Sequence, residues 1–134
     1  MGTLATQMKL VPRDGPLRIL IADDHELMRA GIRSMFSNNP QRNICGEAEN
    51  GREAVDKVRE LKPDLIILDI SMPELNGIDA AREIRRIAPG TKIIILTMHE
   101  GLQLESAARQ AGADAVLLKR MAANSLTNVI DHLR

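Results

Sequence analysis

The sequence predicts an α/β protein: a (βα)5 chain winding a five-stranded parallel sheet of order 2-1-3-4-5, with helices on both faces. Three observations carry this. Short apolar, β-rich runs recur along the chain. Segments with helical spacing alternate with them, and turn-forming pairs such as Asn50-Gly51, Lys62-Pro63 and Pro89-Gly90 mark the joins. Strands that are apolar without alternation belong in a sheet covered on both sides. Right-handed crossovers then give a doubly wound topology.

The elements follow in order. Residues 1–16 read as a flexible tail, with Pro12, Gly15 and Pro16 as breakers. The first strand is RILIA (18–22), followed by a helical stripe of Met28, Ile32, Met35 and Phe36. NICGEA (43–48) is the second strand, and Ala54, Val55, Val58 and Leu61 form the next stripe. Lys62-Pro63 closes that helix, because the residue before proline is driven out of the helical region. DLIILD (64–69) is the third strand, with Ile78, Ala81, Ile84 and Ile87 after it. KIIILT (92–97) leads to a weaker stripe of Leu104, Ala107, Ala108 and Ala111, stopped by Gly112. AVLLK (115–119) and the stripe Leu126, Val129, Ile130 and Leu133 end the chain.

Composition narrows the function. The 134 residues suit one domain, and 44% are hydrophobic, enough for a real core. Lys plus Arg and Asp plus Glu are 18 each, so the chain lacks the basic excess of a nucleic-acid grip. One Phe and no Tyr or Trp leave little to stack bases or a flavin upon. The single Cys45 permits no internal disulfide and fits a reducing compartment. No apolar run approaches the ~18 residues of a membrane span, and no signal-peptide core is evident. The expectation is a soluble, cytoplasmic protein. After the first strand the sequence is ADDHELM, with neither a GxGxxG nor a P-loop.

In open α/β sheets ligands gather beyond the carboxyl ends of the strands. Asp23 and Asp24 follow the first strand, Asp69 ends the third, Thr97 the fourth and Lys119 the fifth. Three carboxylates in one place need a positive partner; two charges ~4 Å apart interact by ~4 kcal/mol at an effective dielectric of 20. Lys119 supplies one. A hard divalent cation, Mg²⁺ with Mn²⁺ as the alternative, suits an all-oxygen donor set. Asp69, ionised at neutral pH, can then attack phosphorus and form an aspartyl phosphate without a separate base. Thr97 can donate to a phosphoryl oxygen. Pro73 holds Met72 extended, and Gly77 permits a tight return into the third helix. Asp23-Asp24 also reads as an N-cap pair, His25 as a first-turn helix residue, and His99 as a solvated loop residue.

Four motifs in order, DDH (23–25), LDISMPELNG (68–77), ILT (95–97) and GADAVLLK (112–119), resemble a response regulator receiver domain. The resemblance runs from about Leu17 to Arg134. DDHELMRAGI and ENGREA bring it nearer to the receivers of NarL/FixJ, or LuxR-type, transcriptional regulators of two-component systems. It implies the flavodoxin-like receiver fold and a phosphorylation-dependent signalling switch. By resemblance Asp69 is the phosphoacceptor, charged by a sensor histidine kinase. Asp23, Asp24, Asp69 and the Ser71 backbone carbonyl bind Mg²⁺. Thr97 is the switch hydroxyl and Lys119 the phosphate contact; Ser71 and His99 flank the phosphoryl group. Catalysis is limited to self-catalysed phosphotransfer and autodephosphorylation, so no metabolic enzyme is implied. The resemblance also implies output through the face of the fourth helix, fifth strand and fifth helix, with a homodimer on phosphorylation.

The chain departs from the family pattern at two positions. Val116 stands where many receivers carry an aromatic, and Arg120 where many carry a cis proline. No helix-turn-helix follows Arg134, so DNA contact needs a C-terminal domain absent from this chain. The reading favours a piece of a longer regulator over a stand-alone receiver. The alternative function is a phosphate-independent interaction module.

Overall fold

The computed structural model describes residues 15–133. All but its last two residues, Gly15 and Pro16, the expected N-terminal tail lies outside them. Five strands alternate with five helices: β1 Leu17–Ala22, α1 Glu26–Phe36, β2 Arg42–Ala48, α2 Gly51–Leu61, β3 Leu65–Asp69, α3 Gly77–Ile87, β4 Lys92–Thr97, α4 Leu102–Gln110, β5 Ala115–Leu118 and α5 Ala122–Leu133. The sheet is parallel with order β2-β1-β3-β4-β5, as the sequence predicts. The fifth strand is shorter than expected. It ends at Leu118, and Lys119 opens a 3₁₀ turn, Lys119–Met121, that leads into α5.

The continuous apolar strands are explained by two cores. Successive strand residues point to opposite faces. Ile19, Ile21, Leu65, Ile67, Ile94 and Leu96 pack with Ile32 and Phe36 of α1 and Leu126 and Ile130 of α5. The alternate set, Leu20, Ala22, Ile66, Leu68, Ile93 and Ile95, packs with residues of α2, α3 and α4. The central strands are therefore buried on both sides, and polar residues are admitted only where the strands stop.

Helix ends follow local chemistry. The Asn50 side chain accepts from Glu53 N at 2.7 Å, and Glu53 reaches back to Glu49 N at 2.6 Å. Asn76 caps α3 by accepting from Asp79 N at 2.9 Å. Lys62 does leave the right-handed helix, but into the left-handed region (φ 50°), with its N–H on Val58 O. Helix C-termini commonly stop this way, and here a lysine takes the position usually given to glycine.

The β3–α3 connection also differs in its physics from the expectation. Its left-handed residue is Glu74 (φ 73°). Gly77 serves close approach instead: a Cβ there would lie 2.3 Å from the Asp69 carbonyl oxygen. The turn is so tight that α3 begins against the backbone of the strand it left.

Candidate functional site

Asp23, Asp69 and Lys119 converge beyond the carboxyl ends of β1, β3 and β5. Lys119 Nζ lies 3.0 Å from Asp23 Oδ2 and 3.1 Å from Asp69 Oδ1. Both aspartates are 1% exposed. Ser71 N donates to Asp69 Oδ1 at 3.3 Å. Asp69 Oδ2 is buried and has no hydrogen bond among the described residues; Asp23 Oδ2 has the Lys119 ion pair but no aligned hydrogen bond. A buried carboxylate oxygen without a donor is costly.

Electrostatics follow from burial and neighbours. Burial raises the Asp69 carboxyl above its ordinary pKa, the Asp23 carboxylate adds to this, and Lys119 pulls the other way. Burial opposes the Lys119 charge, but Asp23 and Asp69 outweigh it and its pKa lies above the usual lysine value.

The acidic group extends to the surface. Carboxylate oxygens of Asp23, Asp24 and Asp69 and a nitrogen of His25 lie within 4.8 Å of one another. The predicted N-cap role of Asp23-Asp24 is not what forms. The cap position of α1 is His25, whose side chain makes no capping bond. Asp23 Oδ1 instead accepts from His25 N at 2.8 Å, bending the chain between β1 and α1. His25 Nδ1 sits 3.1 Å from Asp23 Oδ1 and 3.0 Å from Asp24 Oδ1. The sequence reading gave this imidazole no part in the cluster.

A second missed residue is Arg29. It is 7% exposed. Its Nη1 donates to the Asp23 carbonyl at 2.6 Å, Nε to Glu47 at 2.9 Å and Nη2 to Glu26 at 2.5 Å. Burial works against its charge, and Glu47 with Glu26 more than offsets this. The guanidinium thereby ties α1 and β2 to the backbone of the aspartate. No motif flags an arginine six residues beyond Asp23 for this work.

Thr97 lies at the same sheet edge but outside this contact set. It continues the alternation of Ile93 and Ile95, whose face is that of α2, α3 and α4. Its hydroxyl donates to His99 O at 3.2 Å and accepts from His99 N at 3.1 Å. Half-buried Val116 packs against the same core. It lines a cleft of about 460 Å³ with Thr97, Leu102, Leu104, Leu118 and Met121. The Ser71 side chain is exposed. No helix among the described residues is long and apolar enough to cross a membrane.

A parallel sheet of order 2-1-3-4-5 with buried aspartates and a lysine at its carboxyl edge defines a class of signalling domain, and comparison with known proteins agrees. The response regulator receiver domain profile matches residues 19–131, and the chain belongs to that family. It is 33% identical over 115 residues to the response regulator protein VraR of Staphylococcus saprophyticus, covering 86% of this chain and 55% of that protein. It is 43% identical over 102 residues to the chemotaxis protein CheY of Thermotoga maritima, covering 76% of this chain and 84% of CheY. A two-component response regulator of the LuxR family from Aurantimonas sp. SI85-9A1 superposes with a TM-score of 0.83 at 32% identity, over 88% of this chain and 84% of that one. The chain spans about half the length of VraR and of DegU from Brevibacillus brevis.

Proposed function

We propose that residues 17–134 form the receiver unit of a LuxR-type regulator, a switch thrown when Asp69 accepts a phosphoryl group from a sensor histidine kinase. The observation that carries this is Asp69 itself, 1% exposed, with Oδ2 undonated and Lys119 at 3.1 Å from Oδ1. In the transfer the donor's phosphorus–nitrogen bond breaks as a bond forms from phosphorus to an Asp69 oxygen, and the departing imidazole takes up a proton. Lys119 offsets charge on the transferred group. Asp23, Asp24 and Asp69, joined by the Ser71 carbonyl as the family resemblance implies, would hold Mg²⁺ (Mn²⁺ as the alternative), which would neutralise the remaining charge. The donor set is oxygen-rich, and an undonated buried oxygen supports the fit.

Thr97 holds the His99 backbone through both of its hydrogen bonds. Reaching a phosphoryl oxygen requires it to release that loop. This exchange is the proposed conformational step, and it is passed to the α4–β5–α5 face through the cleft at Val116. A homodimer formed there on phosphorylation, and DNA contact through a C-terminal helix-turn-helix domain, complete the reading. The phosphate-independent alternative gains no support from a polar set this complete.

Intact-mass spectrometry after incubation with acetyl phosphate and Mg²⁺ tests the proposal. One added phosphoryl group is expected in the parent, and none in Asp69→Asn or without divalent ion. Equal labelling of the parent and Asp69→Asn would refute it.

A further inference from the structure

The carboxylate cluster is not purely an oxygen site. His25 Nδ1 stands 3.1 Å from Asp23 Oδ1 and 3.0 Å from Asp24 Oδ1. Ligand atoms at adjacent corners of an octahedron with ~2.1 Å bonds are separated by about 3.0 Å. The imidazole nitrogen therefore already occupies a corner position relative to both carboxylates, before any ion arrives. One nitrogen and three carboxylates, all within 4.8 Å of one another, need little contraction to meet a single ion.

The partners leave this corner available. Lys119 takes Asp23 Oδ2 and Asp69 Oδ1, whereas His25 faces the Oδ1 atoms of Asp23 and Asp24. Asp69 Oδ2, buried and without a hydrogen bond among the described residues, is a second, independent observation that a cation fits this cluster. The contacts of the His25 side chain are to these carboxylates: Nδ1 is at hydrogen-bond distance from Asp23 Oδ1, and an ion would replace the proton shared there. The ring makes no capping bond to α1 and is 68% exposed, open to an ion entering from water.

Resting on the divalent-cation site of the proposed function, we infer that His25 supplies a nitrogen ligand there and shifts the site's preference toward nitrogen-favouring first-row ions such as Ni²⁺ and Co²⁺ over Mg²⁺. Imidazole suits Ni²⁺, Cu²⁺, Zn²⁺ and Fe²⁺, whereas Mg²⁺ prefers oxygen and gives up water reluctantly. Affinity also rises along the series toward Ni²⁺ for any mixed donor set. A site made of Asp23, Asp24 and Asp69 alone carries a weaker bias, because it lacks the imidazole nitrogen.

The test is calorimetric titration of the full chain and of His25→Ala with Ni²⁺ and, separately, Mg²⁺. The ratio of Mg²⁺ to Ni²⁺ dissociation constants should fall at least about tenfold in His25→Ala, the low end of what losing an outer-shell partner costs a metal site. Substoichiometric Ni²⁺ should broaden the His25 imidazole proton signals before those of His99 and His132. An unchanged ratio, or broadening that starts at His99 or His132, overturns the inference. Asp69→Asn separates the two levels of argument. If it weakens Mg²⁺ binding while His25→Ala leaves the ratio alone, the divalent site stands and only the nitrogen ligand falls. If the parent binds no Mg²⁺, the site reading itself fails.

Discussion

Lys119 Nζ stands 3.1 Å from Asp69 Oδ1, although β4 lies between the strands that lead to them. The lysine reaches across the end of β4 to do so, and the register explains how. Asp69 pairs with Leu96 and Leu118 with Thr97, so Lys119 begins one residue beyond the last pair. Its side chain is 11% exposed and the two aspartates it touches are 2%. Removing the cation leaves two buried carboxylates facing each other.

Lys119→Met should therefore lower metal-free stability at neutral pH by about 3–5 kcal/mol, the usual consequence of stripping one partner from a buried pair. Urea denaturation with a chelator present measures it. Saturating Mg²⁺ should restore more stability to the variant than to the parent.

Asp69→Asn should act in the opposite direction. Burial and Asp23 raise the Asp69 pKa in the folded state. Above that raised value the ionised group costs stability, and the cost fades as pH falls through it toward the ordinary carboxylate value. The metal-free variant should thus be more stable than the parent at neutral pH, and the difference should close near about pH 4. Urea midpoints across that range give the answer; a gap that widens on acidification contradicts the electrostatic argument.

Arg29→Met keeps most of the side chain's length and discards its hydrogen bonds to the Asp23 carbonyl, Glu47 and Glu26. A loss of about 1.5–3 kcal/mol is expected for a hydrogen bond to a charged group. Because the Asp23 backbone is released as well, Mg²⁺ affinity should drop too. A stability loss with unaltered Mg²⁺ binding would confine Arg29 to the fold.

Gly77→Ala places a methyl group 2.3 Å from the Asp69 carbonyl oxygen and 2.6 Å from Ile70 Cα. Backbone cannot swing away as a side chain would. Overpacking of this kind costs about 1–3 kcal/mol, and here the strain falls on the peptide that carries Asp69. Thermal unfolding and acetyl-phosphate labelling rate should both suffer.

Much of this was legible in the sequence, for identifiable reasons. Ile19 to Ala22 and Leu65 to Leu68 are apolar without alternation because each strand serves both cores. Polar residues ending such runs had to lie at the sheet edge, which located Asp23, Asp69, Thr97 and Lys119. What stayed hidden depends on where side chains turn after the strand stops. By sequence His25 is a first-turn helix residue; the bend made by Asp23 Oδ1 on His25 N brings its ring back over the carboxylates. Arg29 is found only once α1 is laid beside β2 and Glu47 comes into reach. Its place at the end of β4 groups Thr97 with the cluster, yet its hydroxyl is committed to His99. Glu74 in the left-handed region carries no sequence signal of the kind glycine gives.

The most direct test is to locate the phosphoryl group. Borohydride reduces an acyl phosphate to an alcohol, so labelling the protein with acetyl phosphate and Mg²⁺, reducing it and mapping its peptides should convert Asp69 alone to homoserine. Conversion at Asp23 or Asp24, or none at any aspartate after labelling, would contradict the assignment of Asp69 as the acceptor.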